Sequence, residues 1–251
     1  MSHESDHLTG VGLEHWGDNF PSTHWSILLD KTVTSSATQE LLERVCDHYW
    51  YPLYAYLRKR GRSSHDAQDL VQGFLCKMLE KDGLANARPD RGRFRSYLLG
   101  GLKHYVNDVR KHDTAEKRGG GKPTLSIKEE MAEERYQNEP AESLTAERLF
   151  DREWAMALLQ DVIGRLRGEY ERRGKTEVFE NLSEFLSSKP EKKTYPLLAE
   201  KLGVSEGNVR VIVNRMRKRY RELLVESIAQ TVDSPEEVDA ELEYLFSSFS
   251  D

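Results

Sequence analysis

The sequence predicts an all-α protein made of two small helical domains joined by an acidic linker. Three observations carry this. Apolar residues recur three and four apart in successive segments, the spacing of one helix face. Gly119, Gly120, Gly121 and Pro123 interrupt that pattern near mid-chain, because three glycines followed by a proline cannot continue a helix. Finally, 37% hydrophobic and 32% charged residues in a chain of 251 suit two modest cores with solvated connections better than one large core.

Residues 1–20 mix Gly, His and acids without periodicity and read as a flexible lead-in. The first domain is placed at 21–120. It opens with a short helix capped by Ser22 or Thr23 that carries Trp25, Ile27, Leu28 and Leu29. A long helix follows from about Gln39 to Arg60, with Pro52 expected to kink or split it. Gly61 stops that helix, Ser63 or Ser64 caps the next, and Asp66 and Asp69 suit its positive N-terminal end. This helix carries Leu70, Val71, Phe74, Leu75, Met78 and Leu79. After the loop ARPDRGRFR, a helix from about Phe94 to Lys111 carries Leu98, Leu102, Tyr105, Val106 and Val109.

The linker, 121–150, is acidic and partly helical. Periodicity resumes at Trp154, Leu158, Val162 and Leu166, and again at Val178, Phe179, Leu182 and Phe185, in a second domain spanning 151–230. The last segment, 231–251, has Ser234 as N-cap, Pro235 at the first helical position and Glu237 as capping-box acid. Val238, Leu242, Leu245, Phe246 and Phe249 then form an apolar stripe, which predicts an acidic amphipathic helix packed on the second domain. A sharper expectation makes this helix a regulatory cover over a DNA-binding or polymerase-binding surface.

A net charge of −6 argues at first sight against a nucleic-acid partner, but the charges are segregated. Basic residues gather at 88–122 and again at 210–221, where no acid interrupts them, while acids gather at 129–147 and 233–243. Cys46 and Cys76 lie in no CxxC context, so buried reduced thiols are expected and neither a disulfide nor a metal site. Lacking a signal sequence or a membrane-length apolar run, the chain is expected in the cytoplasm, without membrane insertion.

The most informative segment is YPLLAEKLGVSEGNVRVIVNRMRKRY, at 195–220, which has helix-turn-helix packing positions. Ala199 is the small residue at the helix crossing, and Gly203 suits the left-handed turn. Leu198, Leu202, Val204, Val209 and Ile212 face the shared core. Ser205, Asn208, Arg210, Val211, Asn214, Arg215 and Lys218 face outward or cap the second helix, with Arg217 and Arg219 beside them. Arg pairs with the guanine O6/N7 edge and Asn with the adenine N6/N7 edge, while the later cations suit phosphates.

In the first domain, DAQDLVQGFLCKMLEK at 66–81 and GRFRSYLLGGLKHYVNDVRK at 92–111 resemble region 2 of the sigma-70 family of RNA polymerase sigma factors. The carriers are Asp66, Ala67, Asp69, Leu70, Val71 and Gln72, then Phe94, Arg95, Tyr97 and Leu98. The segment 195–220 is similar to region 4, and there is no room for a middle domain, which marks the extracytoplasmic-function type. The resemblance implies core RNA polymerase as partner, through its beta-prime coiled coil and beta flap, together with promoter DNA; an anti-sigma factor or other regulator is a further candidate. It implies that Asp66, Asp69, Gln72 and Lys77, with Gly73, dock on the coiled coil. It also implies that Arg91, Arg93, Arg95, Tyr97, Lys103, His104, Asn107, Arg110 and Lys111 receive the opened minus-10 element, and that the helix-turn-helix reads the minus-35 element. The alternative is a conventional helix-turn-helix regulator, for which no dimerisation segment appears. His104, Asp108 and His112 share a helix face, but no nucleophile motif or phosphate loop joins them, so no catalytic residue and no cofactor are assigned.

Overall fold

The computed structural model describes residues 35–79, 93–115, 127–138, 144–186 and 194–249, and every regular element among them is helical. The lead-in, the short helix around Trp25, the loop with Arg91 and the Gly119–Pro123 break lie outside these residues. Helices α1 (Ser35–Lys59), α2 (Ser64–Leu79), α3 (Phe94–Ala115), α4 (Ile127–Asn138) and α5 (Ala146–Arg172) are followed by α6 (Thr176–Leu182). A 3-10 turn (Ser183–Leu186), α7 (Thr194–Leu202), α8 (Glu206–Ala229) and α9 (Glu237–Ser247) complete the chain.

The fold divides into two units: one holds the chain up to Ala157 together with Ala229 onward, the other holds Leu158–Ile228. The first boundary therefore falls inside α5, later than the predicted 151, and the C-terminal helix, expected with the second domain, belongs to the first unit.

In the first unit, α1 continues through Pro52 and is not split. A proline inside a helix costs about 3 kcal/mol, and burial here outweighs it. Tyr49, Leu53, Tyr54, Tyr56 and Leu57 are all buried, so around Pro52 almost the whole circumference of the helix is core. Gly61 ends α1 with a φ of 83°, and Ser63 Oγ accepts the Asp66 N–H at 3.1 Å to start α2. Phe94, Leu98 and Leu102 line the inner face of α3. Gly73 sits half-buried where α2 meets α3, and a Cβ there would clash with the Tyr105 hydroxyl.

The acidic linker is docked in part. Arg58 grips Glu133 of α4 through two hydrogen bonds, 2.9 and 2.7 Å, and the Tyr54 hydroxyl donates to the same carboxylate. Tyr51, Tyr136 and Leu144 pack against buried Ala55 and Leu149. Burial opposes the charge of Glu133, but bonds from Arg58, Tyr54 and Gln137 outweigh it and hold the carboxyl below its ordinary range. A depressed folded pKa gives stability that is fully present above the unfolded value and lost as pH falls through the folded one. Acidification below about pH 4.5 is thus expected to loosen α4. Hydrogen exchange over 127–138, corrected for intrinsic rates, should show falling protection, whereas Glu133→Gln should show low protection at every pH. An identical acid response in that variant would contradict the assignment.

The second unit is built on Val162, Leu166, Phe179, Leu182, Phe185, Leu198, Val209, Val213 and Met216, all buried. Val213 and Met216 lie deeper than the predicted Ile212. Arg219 of α8 is bonded to Glu169 at 2.7 Å, Glu222 at 3.0 Å and Glu226 at 3.4 Å. Arg217 Nε donates to the Phe185 carbonyl at 2.8 Å. These two arginines tie α8 to the rest of the unit.

Candidate nucleic-acid interface

In the second unit, Gly203 takes a φ of 63° between α7 and α8, a backbone that favours glycine. Ser205 Oγ then accepts the Asn208 N–H at 3.2 Å and starts α8. Buried Val209, Val213 and Met216 fix the rotation of the helix. The opposite side exposes Asn208, Arg210, Val211, Asn214, Arg215 and Lys218. Arg210 lies 4.2 Å over the Tyr195 ring, which orders its guanidinium before any ligand arrives. Val211, 44% exposed, is an apolar point amid polar neighbours, the chemistry that meets a thymine methyl.

The first unit separates the predicted minus-10 residues into two groups. Lys103, His104, Asn107, Arg110 and Lys111 lie exposed on the outer face of α3. Tyr97 is half-buried at the edge of that face. It borders a cavity of about 190 Å³ shared with Phe74, Lys77, Gly101, His104 and Tyr105, an aromatic recess where α2 and α3 meet. On the other flank of α3, Lys103 Nζ donates to Glu147 of α5 at 3.0 Å, with both side chains nearly half exposed. That ammonium is the chief reason the Glu147 carboxyl is held below its ordinary range.

Arg93 and Arg95 behave otherwise. Arg95 is only 5% exposed, and Glu241 of α9 is fully buried. Arg95 Nε donates to Glu241 at 2.8 Å and its Nη1 to Asp151 at 2.8 Å, while Arg93 pairs with Glu241 at 2.7 Å. The Tyr244 hydroxyl donates to Asp151 at 2.6 Å, and its ring lies 3.9 Å from the Arg95 guanidinium carbon. Trp154 closes the other side at 5.1 Å and donates its indole N–H to Tyr49 at 3.2 Å. Two guanidiniums and two carboxylates balance in charge, so the cluster suits a buried site. Arg95 is a core anchor for α9 in this structure and Arg93 is engaged with it.

The Val238, Glu241 and Leu245 side of α9 is buried, whereas Phe246 and Phe249 are more than a third exposed. The helix starts at Glu237 after a turn over 234–238, so its N-cap is Glu236 rather than the expected Ser234, no side chain caps it, and the Glu237 carboxylate accepts the N–H of Asp233 at 3.2 Å rather than that of Ser234. Sequence reasoning missed Glu241. Its signal was an acid three residues after Val238 and four before Leu245, on the apolar stripe itself.

On α2, Asp66, Asp69, Gln72 and Lys77 are exposed, and Asp69 lies 3.6 Å from His65. Neither cysteine is in a disulfide; Cys46 is half-buried and Cys76 exposed, where buried thiols were expected. Among the described residues no group of three or more His, Cys, Asp or Glu is placed to hold a metal, and no helix is long and apolar enough to cross a membrane. No protein-family model, curated protein or solved structure matches the chain.

Proposed function

We propose that the chain is a sigma factor of the extracytoplasmic-function type, which binds core RNA polymerase and directs promoter recognition. The observation that carries the reading is the exposed face of α8, where Asn208, Arg210, Val211, Asn214 and Arg215 stand out from a helix-turn-helix whose opposite face is core. A second basic helix in a separate unit, with an aromatic recess beside it, supports a reader of duplex and opened strand in one chain. The α2 face bearing Asp66, Asp69, Gln72 and Lys77 is then the polymerase-docking surface.

The roles separate by experiment. In the holoenzyme, Arg215→Ala is expected to weaken duplex promoter binding by roughly 5- to 150-fold, the equivalent of about 1–3 kcal/mol for one lost base contact. Tyr97→Ala should leave that step nearly intact and lower the fraction of open complex, as read by permanganate footprinting of unpaired thymines. Equal losses at both steps in both variants would contradict the assignment.

The conventional-regulator reading is served by α8 alone and leaves the α3 face without a task. The regulatory-cover reading of α9 meets an energetic obstacle. Releasing the helix would expose Val238 and Leu245, at about 1.5–3 kcal/mol each, and would separate a buried charge cluster. The helix is better read as part of the first unit's core.

A further inference from the structure

The geometry points to a nucleic-acid phosphate site on the flank of α3 opposite the aromatic recess, built by Arg60, Arg62, Lys103, Asn107 and Arg110 and occupied at rest by the Glu147 carboxylate. This rests on the sigma-factor reading and adds to it a site at the α1–α2 turn.

Between the end of α1, the first turn of α5 and the outer half of α3 lies a cavity of about 660 Å³, within the size range of small-ligand sites. Its described lining carries four cationic side chains and one carboxylate, Glu147. Tyr56, Leu57 and Val106 supply an apolar floor suited to a sugar or a base. Arg60 and Arg62 are placed here by Gly61, whose left-handed turn reverses the chain so that both flanking arginines line the cavity.

Two acid-on-base contacts in this unit differ in kind. The pair of Arg95 with Glu241 is buried, and breaking it costs several kcal/mol, so it stays closed. The pair of Lys103 with Glu147 is 43% and 47% exposed, and such a pair contributes about 0–1 kcal/mol. A phosphodiester, presenting its charge to several cations at once, displaces Glu147 easily. Glu147 therefore acts as a weak internal substitute for phosphate that disfavours loose anions and yields to a strand. A strand lying over α3 can set its backbone in this cavity and its bases toward Tyr97 and Tyr105, since the two recesses flank the same exposed stripe of Lys103, His104 and Asn107.

The test uses the full chain and a fluorescein-labelled oligo-deoxythymidine of about twelve nucleotides, titrated by anisotropy over a range of salt concentrations. Each single-strand phosphate contact contributes about −0.7 to the slope of log affinity against log salt. Arg60→Ala/Arg62→Ala is expected to weaken binding and flatten the slope by about 1.4, with the melting temperature retained. Glu147→Gln is expected to tighten binding by up to about fivefold, an independent gain that misfolding cannot imitate. Unchanged slope and affinity in both variants would overturn the site. So would thymidine monophosphate or inorganic phosphate competing as well as the oligonucleotide at equal phosphate concentration, which would make it a free-anion site. If these effects appear but no holoenzyme forms, the phosphate site stands and the sigma-factor reading fails. If holoenzyme forms and both variants bind and open promoters as the parent does, the reading stands and the site fails.

Discussion

Glu241→Ala is expected to destabilise the first unit by about 3–5 kcal/mol, the cost of removing one partner from a buried ion pair. The variant leaves Arg95 with Asp151 as its remaining described carboxylate and removes the carboxylate that Arg93 shares, in a site from which water is largely excluded. A guanidinium keeps its proton even when buried, so Arg95 cannot relieve the imbalance by becoming neutral. Urea denaturation followed by tryptophan fluorescence reads this directly, because Trp154 packs on Arg95. Glu241→Gln keeps the shape and one acceptor and should lose less. An alanine variant as stable as the parent would mean that the cluster contributes nothing to the unit.

Deleting 233–251 is expected to do more, because it removes the buried carboxylate together with Val238, Leu245 and the Tyr244 bond to Asp151. The summed loss exceeds about 5 kcal/mol and approaches the whole stability of a small unit. The truncated chain should therefore lose the cooperative transition of its first unit and bind promoter DNA poorly in the holoenzyme. A truncated chain that melts like the parent and initiates more strongly would instead make α9 a cover and restore the regulatory expectation. The difference between these outcomes is large enough for a simple melting curve to decide.

What the residues disclosed and what they concealed divide along a physical line. Helices were legible where burial follows the local period, as in α2, with Val71, Phe74, Leu75 and Met78, and in α3, with Phe94, Leu98 and Leu102. The turn between α7 and α8 was legible because it demands a particular backbone at Gly203 and a capping hydroxyl at Ser205. Long-range electrostatics were not. Arg95 and Glu241 are 146 positions apart, and no local pattern tells a charge bound for solvent from one bound for a buried partner. Arg95 was consequently assigned to DNA, and α9 to the wrong unit. Arg60 and Arg62 were passed over for a related reason: they flank a turn, and their meeting with α3 and Glu147 is a product of tertiary packing. Pro52 shows the converse, a strong local signal overridden by burial on nearly every side of the helix around it.

Reconstitution of the purified 251-residue chain with bacterial core RNA polymerase tests the sigma-factor proposal most directly. A stable one-to-one complex is expected, weakened by substitutions on the Asp69 and Gln72 face of α2, that initiates from a promoter core enzyme alone does not use. A chain that fails to associate with core enzyme and directs no initiation, while still binding duplex DNA through α8, would contradict it and leave a conventional regulator in its place.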